Sequence, residues 1–451
     1  MGVDVGLTSE RRALAIEAAV REGLLGSGAM DAEASLDSKP MGLFYDLDAW
    51  HANLDLVRAE ACFGEPHFMH ACAVKTNPVS WFLKQAKAEG FGAECASVSE
   101  VIHALKNDFD ADKVVFDSPC KTLAEIKFAL ENGVHLNMDN LQELERVKTV
   151  IESRVEGAPI GLRINPLVGA GTIAAFSVST GKSKFGVPLP AEGGQRETVL
   201  NAVLSCPWIN CIHVHTGSGG MGLDQLVAGV RTAVRFAQEI NENAGTRQIR
   251  IIDMGGGLAV DFTAENPLSG FPAYAAALRK EVPELFDPKT FDRVVTEFGA
   301  AMQIKFAFMA SRVEYTKVAD EYRIALIHAG SDIFMRACYC PDTFVSHRVF
   351  AYDADGKPKQ ETEDNVVAHD IAGPLCFAGD VVVRNVTLPA LEVDDVVALA
   401  DAGGNSLSIH TTHCSRQTPA VYAFSINADA EVSFELVLKG QTVEDTLTIW
   451  G

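Results

Sequence analysis

Apolar and polar positions form two different patterns along the chain, one before about residue 305 and one after it. In the first part, short apolar runs alternate with segments whose apolar residues recur at helical spacing. The apolar runs predict eight buried strands, near 68–75, 91–96, 113–117, 134–138, 160–165, 211–216, 249–254 and 293–298. The intervening segments predict seven helices, near 79–89, 98–107, 121–132, 141–153, 191–204, 222–243 and 270–284.

Strands that alternate with helices imply parallel pairing through right-handed crossovers. An open doubly wound sheet is one arrangement that fits, but eight units is the number that closes a barrel. We therefore expect a (β/α)8 TIM-type barrel over residues 42–304. In such a barrel the C-terminal ends of all strands meet at one mouth, so polar residues at those ends should lie close together.

After residue 305, the runs alternate or are β-branched between short turns, which is typical of an antiparallel β domain. The fold class predicted is α/β, with the barrel followed by a C-terminal antiparallel β domain over 305–451. Residues near 42–46 are expected to join that domain. Residues 1–41 are interpreted as an extension with an amphipathic helix over 9–25, and a further helical segment is expected over 405–416.

The segment from His70 to Pro78, HACAVKTNP, places Lys75 where the first predicted strand ends. Asn77 and Pro78 then resemble the cap and first turn of a helix. Poor solvation at the mouth of an apolar strand layer is expected to lower the pKa of Lys75 and leave some free amine, which attacks carbonyl groups. A solvated lysine at a strand end would explain Lys75 alone, so the interpretation depends on the other strand ends.

Polar residues also occupy the other predicted strand ends: Glu94, Asp117, Ser118, Asn137, Asp139, Arg163, Asn165, His215, Gly255 to Gly257 and Glu297. Three successive glycines let the backbone approach a ligand and direct N–H groups at an anion. A carboxylate at Glu297 needs a cationic or N–H partner in a buried position. A lysine for an aldehyde, glycine amides for a phosphate, a carboxylate for a ring nitrogen and an imidazole to stack on the ring together indicate pyridoxal 5′-phosphate.

Nine motifs carry a resemblance to a known family: AVKTNP at 73–78, ECASVSE at 94–100, SPCK at 118–121, SKFGV at 183–187, HVHTGS at 213–218, DMGGGL at 253–258, EFG at 297–299, GPLCFAGD at 373–380 and DAGGN at 401–405. Together they resemble the fold-type III pyridoxal-phosphate decarboxylases, the group of ornithine, diaminopimelate, arginine and carboxynorspermidine decarboxylases. The resemblance covers residues 42–425 and keeps the family's order of motifs.

The resemblance implies a head-to-tail homodimer with shared active sites. Lys75 would form the Schiff base with the cofactor, Glu297 would pair with the pyridine nitrogen and His215 would stack on the ring. Cys376 of the partner subunit would protonate the substrate carbon after carbon dioxide leaves. The implied cofactor-binding set is Lys75, Glu94, Arg163, His215, Ser218, Gly255, Gly256, Gly257, Glu297, Gly299 and Asn405, and the implied substrate-binding set is Arg336, Asp342 and Asp380. Asp380 would also help fix the cross-subunit segment that carries Cys376.

Departures from the family pattern leave the substrate open. Ala300 stands where many relatives carry the arginine of Glu-Pro-Gly-Arg, and Asn405 stands where they carry a tyrosine near the phosphate. Arg336 aligns with the position that grips a distal carboxylate in diaminopimelate enzymes, and Asp342 lies near the one that grips a distal amine in ornithine enzymes. The sequence does not choose between them.

Composition and charge exclude some partners. A formal net charge of -22 with a pI near 4.9 argues against nucleic acid or anionic membrane. Ten scattered cysteines lack a paired framework, which indicates reduced thiols and a cytoplasmic protein. The spacing of Cys338 and Cys340 matches no common zinc motif, so no metal is predicted. Neither a secretion signal nor a membrane span is predicted.

The function expected is therefore decarboxylation of an amino acid at its α carbon. The substrate class is basic or diamino, such as ornithine, lysine, arginine or diaminopimelate, and either enantiomer fits the sequence. A pyridoxal-phosphate-dependent racemase is one alternative, although GPLCFAGD and the absence of a tyrosine at 405 count against it. A catalytically inactive, decarboxylase-like regulator is another, although the presence of Lys75, His215, Glu297 and Cys376 together argues against it.

Overall fold

A computed structural model describes residues 7–26, 28–29, 31–265, 270–319, 322–343 and 347–451. In chain order, the strands β1 to β18 are Met41–Asp46, Phe68–Ala73, Gly92–Cys95, Val114–Phe116, His135–Met138, Ile160–Asn165, Val187–Pro188, Cys211–Val214, Ile251–Asp253, Arg293–Thr296, Ala307–Ala319, Tyr322–Ile327, Val349–Tyr352, Val366–Ala372, Val381–Pro389, Val396–Ala400, Ala420–Ile426 and Val432–Leu438. The helices α1 to α12 are Ser9–Arg21, Leu47–Val57, Ser80–Ala88, Val98–Lys106, Leu123–Asn132, Leu141–Val150, Gly194–Leu204, Leu223–Ala244, Phe271–Glu281, Ala300–Gln303, Met335–Tyr339 and Val443–Leu447.

Contacts divide the chain into two units. The barrel unit comprises Leu54–Val260 and Ser269–Met302, and the β unit comprises Met1–Asn53, Asp261–Leu268 and Gln303–Gly451. Two separate segments, Met1–Asn53 and Asp261–Leu268, thus group with the β unit although they precede residue 305. The domain bounds 42–304 and 305–451 stay a prediction.

The barrel unit contains a closed sheet of eight parallel strands. Its order is β5-β4-β3-β2-β10-β9-β8-β6, and β5 also pairs with β6, which closes the ring. All eight strands were predicted within two residues of their ends, and the two-residue strand β7 was not predicted. Its interior holds a buried apolar cluster of Met69, Ala71, Val115, Cys211, Ile251 and Val295. The predicted barrel is confirmed.

Side-chain caps determine where several barrel helices begin. Ser97 Oγ accepts the Glu100 N–H at 3.3 Å, and Asn140 Oδ1 accepts the Glu143 N–H at 2.9 Å. Thr122 and Glu125 form a full capping box at α5, which ends at the left-handed Gly133. Each of these helices therefore starts a few residues after the preceding strand. The residues between strand and helix form the loops at the barrel mouth.

The β unit contains a nine-stranded sheet with the order β15-β14-β12-β11-β1-β17-β18. Strand β16 also pairs with β11, and β13 pairs with β16. Most pairs are antiparallel, as predicted, but β1–β17 and β12–β14 are parallel. Strand β1 lies between β11 and β17 and is buried along its length. The predicted 405–416 helix is instead two short 3-10 turns, at Leu407–Ile409 and His413–Ser415.

The N-terminal helix α1 contributes to the core of the β unit. Its residues Ala15, Ile16 and Ala19 share a buried cluster with Phe44 of β1 and Phe308 of β11. A stripe with this spacing buries one helix face against a sheet. The predicted amphipathic helix is confirmed, and its role in this unit is to cover one face of the sheet.

Candidate active site

Lys75 lies in a short 3-10 turn, Val74–Thr76, directly after β2. A Cβ atom at Gly299 would lie 2.3 Å from Thr76 Oγ1, so glycine is needed where the chain after β10 passes this turn. The predicted cap at Asn77 is wrong, because α3 starts at Ser80 and its cap is Val79. Asn77 Oδ1 instead accepts the Val79 N–H at 3.3 Å, which shapes the turn before the helix.

The Lys75 ammonium group contacts the buried carboxylate of Glu94. Burial lowers the pKa of Lys75, but the charges of Glu94, Asp117 and Glu297 raise it more, so the net shift is upward. The predicted lowering of this pKa is wrong for the cofactor-free protein. The acidic groups come from other strand ends, so the apolar run around Lys75 gave no indication of them.

Glu297 follows β10 and is buried, with 2% of its side chain exposed. Its Oε2 lies 3.6 Å from His213 Nε2 and 3.9 Å from His215 Nδ1. Burial raises the pKa of Glu297, but its interaction with His213 helps hold the net value well below the usual range. Among the described residues, Glu297 Oε1 has no hydrogen-bond partner. A buried, ionised carboxylate oxygen is therefore available to a cationic N–H group.

The imidazole of His215 is held by two hydrogen bonds. Its Nδ1 accepts the Gly256 N–H at 3.2 Å, so Nε2 carries the proton that faces Ser218 Oγ at 3.0 Å. Burial lowers the pKa of His215, which favours the neutral ring. His215 therefore presents a neutral ring with a fixed orientation.

The three glycines after β9 form a tight turn at the barrel mouth. Gly255 and Gly257 have left-handed φ angles of 66° and 92°. A Cβ atom at Gly256 would lie 2.1 Å from the Glu297 carbonyl oxygen, so no side chain fits there. The Gly255 N–H donates to Asp253 Oδ1 at 3.1 Å and the Gly256 N–H to His215. Within the described ranges, only the Gly257 amide of these three is left to meet an anion.

Asp117 and His213 join this site, although sequence reasoning assigned neither of them a role in it. The side chains of Asp117, His213 and Glu297 bring one ligand-type atom each to within 4.8 Å of one another. Arg163, which is buried over the ring of Phe185, lies 3.8 Å from Asp117. Residues two apart in a strand point to the same face. Because His213 is two residues before His215, this alternation could have indicated that both side chains face the barrel interior.

The GPLCFAGD segment lies in the β unit. Asp380 is buried there, and its carboxylate accepts N–H groups from Ser331 at 2.5 Å and Leu375 at 2.7 Å. Assigning Asp380 to the substrate is therefore not supported, because its two oxygens anchor the turn that carries Cys376. Cys376 is exposed, and the neighbouring Phe377 stacks on Tyr339 of α11 with ring centroids 4.6 Å apart.

Helix α11 carries Arg336 to the wall of a pocket of about 410 Å³, lined by Met335, Arg336, Tyr339, Cys340, Thr411 and His413. Burial lowers the pKa of Arg336. Asp342, by contrast, is exposed on the turn that follows α11, and Asn405 has a left-handed φ of 53°. Of the two candidate groups, Arg336 is the one in a pocket.

Comparison with known proteins identifies the family. The sequence model of the family described as "Pyridoxal-dependent decarboxylase, pyridoxal binding domain" matches residues 53–303, more than half of the chain. The chain belongs to the pyridoxal-dependent decarboxylases. The enzyme is thus a decarboxylase, and its cofactor is pyridoxal phosphate.

Individual relatives of this decarboxylase carry one recurring name. The chain is 29% identical over 360 residues to the diaminopimelate decarboxylase of Methanothermobacter thermautotrophicus. The aligned region covers 78% of each chain. Identity to the Bacteroides thetaiotaomicron diaminopimelate decarboxylase is 26%, over 84% of this chain and 94% of the relative. The crystal structure of the Helicobacter pylori enzyme with L-lysine superimposes with a TM-score of 0.76 at 22% identity, covering 91% and 96% of the two chains, and supports the fold.

The residues at the mouth of the decarboxylase barrel fit pyridoxal phosphate. The unpartnered Glu297 oxygen suits a ring nitrogen, the Gly257 amide suits a phosphate oxygen, and the amine of Lys75 suits the cofactor aldehyde. As for membranes, none of the helices in the described ranges combines the length and the apolar character needed to span a bilayer.

Proposed function

We propose that this decarboxylase removes the α carboxylate of an amino acid whose distal end carries a second carboxylate, as in diaminopimelate. The observation that carries the proposal is Arg336 in the wall of the α11 pocket. A guanidinium group recognises a carboxylate through two parallel hydrogen bonds. The relatives named as diaminopimelate decarboxylases support the same substrate class.

We infer the following roles at the barrel mouth. Lys75 would hold the cofactor through its aldehyde group, and Glu297 would keep a proton on the ring nitrogen. Bound pyridoxal phosphate supplies a cationic ring that takes up the electron pair left when carbon dioxide departs. His215 orients the ring, and Ser218 with the Gly257 amide binds phosphate. These assignments are supported by the burial of Glu297 and the fixed ring of His215.

We further infer that Glu94, Arg163, Gly299 and Asn405 complete the cofactor site, and that the enzyme is a cytoplasmic homodimer with shared active sites. Free thiols at all ten cysteines support a reducing compartment. A tyrosine as second base, which a racemase of the related group requires, has no counterpart at Asn405. For an inactive regulator, retention of a buried, ionised Glu297 would serve no purpose.

Release of carbon dioxide from carboxyl-labelled amino acids tests the substrate class. With holoenzyme, meso-diaminopimelate is expected to give kcat/KM at least about tenfold above ornithine, lysine and arginine, because the distal carboxylate pairs with Arg336. Ornithine, lysine and arginine are offered in both enantiomers, and diaminopimelate is offered as its meso, LL and DD stereoisomers. Arg336→Lys keeps the charge and should raise KM more than it lowers kcat. Preferential turnover of ornithine or lysine would reject a distal carboxylate and favour a distal amine.

Cys376→Ala is expected to leave cofactor absorbance unchanged and to slow turnover by roughly 10²-fold, the usual scale for a lost general acid. The physical reason is that Cys376 is exposed next to an anchored turn, where it can deliver a proton to the substrate carbon. Stopped-flow absorbance and carbon dioxide release measure the two effects. Cys414→Ala, another exposed free thiol, serves as the control.

Mixing the Cys376→Ala chain with a Lys75→Ala chain tests whether the site is shared. If Cys376 serves the partner's site, mixed dimers carry one intact site each, and an equal mixture regains about a quarter of the wild-type activity. No recovery in a mixture shown to exchange subunits would contradict a shared site. An unchanged rate in Cys376→Ala alone would remove the acid role.

A further inference from the structure

His213 lies between two carboxylates of the barrel interior. It is in β8, where successive side chains alternate, so it shares a face with Cys211, which belongs to the buried apolar cluster of the barrel. The side chain of His213 is fully buried, with 0% exposed. Its Nε2 lies 3.6 Å from Glu297 Oε2 and 3.9 Å from Asp117 Oδ2. One ring nitrogen therefore faces an oxygen of each carboxylate.

The nitrogen that faces these two oxygens carries a hydrogen. A bare Nε2 would present a lone pair to two carboxylates, whereas an N–H group presents the positive end of its dipole. Neither ring nitrogen of His213 has a hydrogen-bond partner among the described residues, so no other group in that part of the chain competes for this N–H. Both separations are longer than a hydrogen bond, so the attraction in the cofactor-free protein is electrostatic.

The same arrangement decides which oxygen Glu297 offers at the mouth. Asp117, His213 and Glu297 each bring one polar atom to within 4.8 Å of the others. Two buried carboxylates at such a distance repel, and the pair takes up a proton unless an N–H group or a cation lies between them. With Oε2 directed at His213, Glu297 Oε1 has no hydrogen-bond partner within the described ranges and is left for a ring nitrogen.

We propose that His213 is a positioning residue of this decarboxylase: its N–H group holds Glu297 Oε2 inside the barrel and thereby leaves Glu297 Oε1 as a free carboxylate oxygen for the ring nitrogen of the cofactor. His213 acts only through Glu297. Without the N–H group, Glu297 and Asp117 face each other directly and share a proton, and a protonated Glu297 cannot keep a proton on the ring nitrogen. The inference rests on the role proposed for Glu297 and on no particular substrate.

Nuclear magnetic resonance of the holoenzyme with ¹⁵N-labelled pyridoxal phosphate tests the proposal, because the chemical shift of the ring nitrogen reports whether it holds a proton. His213→Met keeps the bulk but has no N–H group, so it should move the signal toward that of an unprotonated ring, as Glu297→Gln should. His213→Gln places an amide N–H near the position of Nε2 and should restore much of the wild-type signal. His135→Met is the matched control and should leave the signal unchanged, because His135 is a second fully buried barrel histidine, in β5.

Single-turnover kinetics give a second readout through a double-mutant cycle. His213→Met should lower kcat by roughly 10- to 10²-fold in the wild type but change it little in the Glu297→Gln background, where the group that His213 acts through is gone. Should His213→Met fail to fold, His213→Asn takes its place, because its shorter amide does not reach the carboxylates.

A wild-type ring-nitrogen signal in the His213 variants that lack this N–H, or a loss of kcat that is as large in the Glu297→Gln background, overturns the proposal. If Glu297→Gln itself leaves the ring-nitrogen signal unchanged, the role proposed for Glu297 fails and this inference falls with it. Glu297→Gln therefore distinguishes a failure of the proposed function from a failure of the role of His213 alone.

Discussion

Lys75→Ala is expected to abolish the cofactor absorbance band and to lower decarboxylation by at least about 10³-fold. No other described lysine lies beside Glu94 and the barrel-mouth carboxylates, so a second amine is not available to replace it. The physical cause is the loss of the only covalent attachment proposed for the cofactor. Absorbance after addition of pyridoxal phosphate and release of labelled carbon dioxide measure the two losses.

Two further variants separate this chemistry from the charge of Lys75. Lys75→Arg keeps a cation next to Glu94 but has no amine that attacks an aldehyde, so it should be as inactive as Lys75→Ala while losing less stability. Lys84→Ala, at an exposed position on α3, should behave as the wild type. Appreciable activity in Lys75→Arg would show that the amine is not needed.

Glu297→Gln is expected to lower kcat by roughly 10²- to 10³-fold while the cofactor still binds. A neutral amide cannot hold a proton on the ring nitrogen as an ionised carboxylate does, and the loss of one well-placed charge in a buried site is typically of this size. The basis is the buried, ionised state of Glu297 and its unpartnered Oε1. Single-turnover kinetics with holoenzyme measure the chemical step directly.

Glu297→Asp provides the control, because it keeps the charge and shortens the side chain by one methylene group. An intermediate rate is expected, with cofactor absorbance close to that of the wild type. Equal kcat values in Glu297→Gln and the wild type would show that the carboxylate does not act on the ring nitrogen.

Much of the barrel could be predicted because its strands are buried on both faces and read as short apolar runs. The same feature indicated where each strand ends, and therefore which polar residues meet at the mouth. Lys75, His215, Gly257 and Glu297 were found in this way and lie in one unit.

Features that depend on long-range contacts could not be predicted. The pKa of Lys75 is raised by carboxylates that come from three other strands, whereas the local run indicated a lowered value. The family motif indicated that Asp380 helps fix its segment, but the sequence could not name the backbone N–H groups of Ser331 and Leu375 that it accepts. The amides of Gly255 and Gly256 are used within the protein, a fact that three glycines in sequence do not reveal.

Borohydride reduction of the cofactor-supplemented enzyme, followed by peptide mass spectrometry, tests whether Lys75 holds pyridoxal phosphate covalently. We expect a coloured protein that bleaches on reduction and one modified peptide, with a reduced pyridoxyl phosphate group on Lys75. A protein that stays colourless, or an adduct on any residue other than 75, would contradict it.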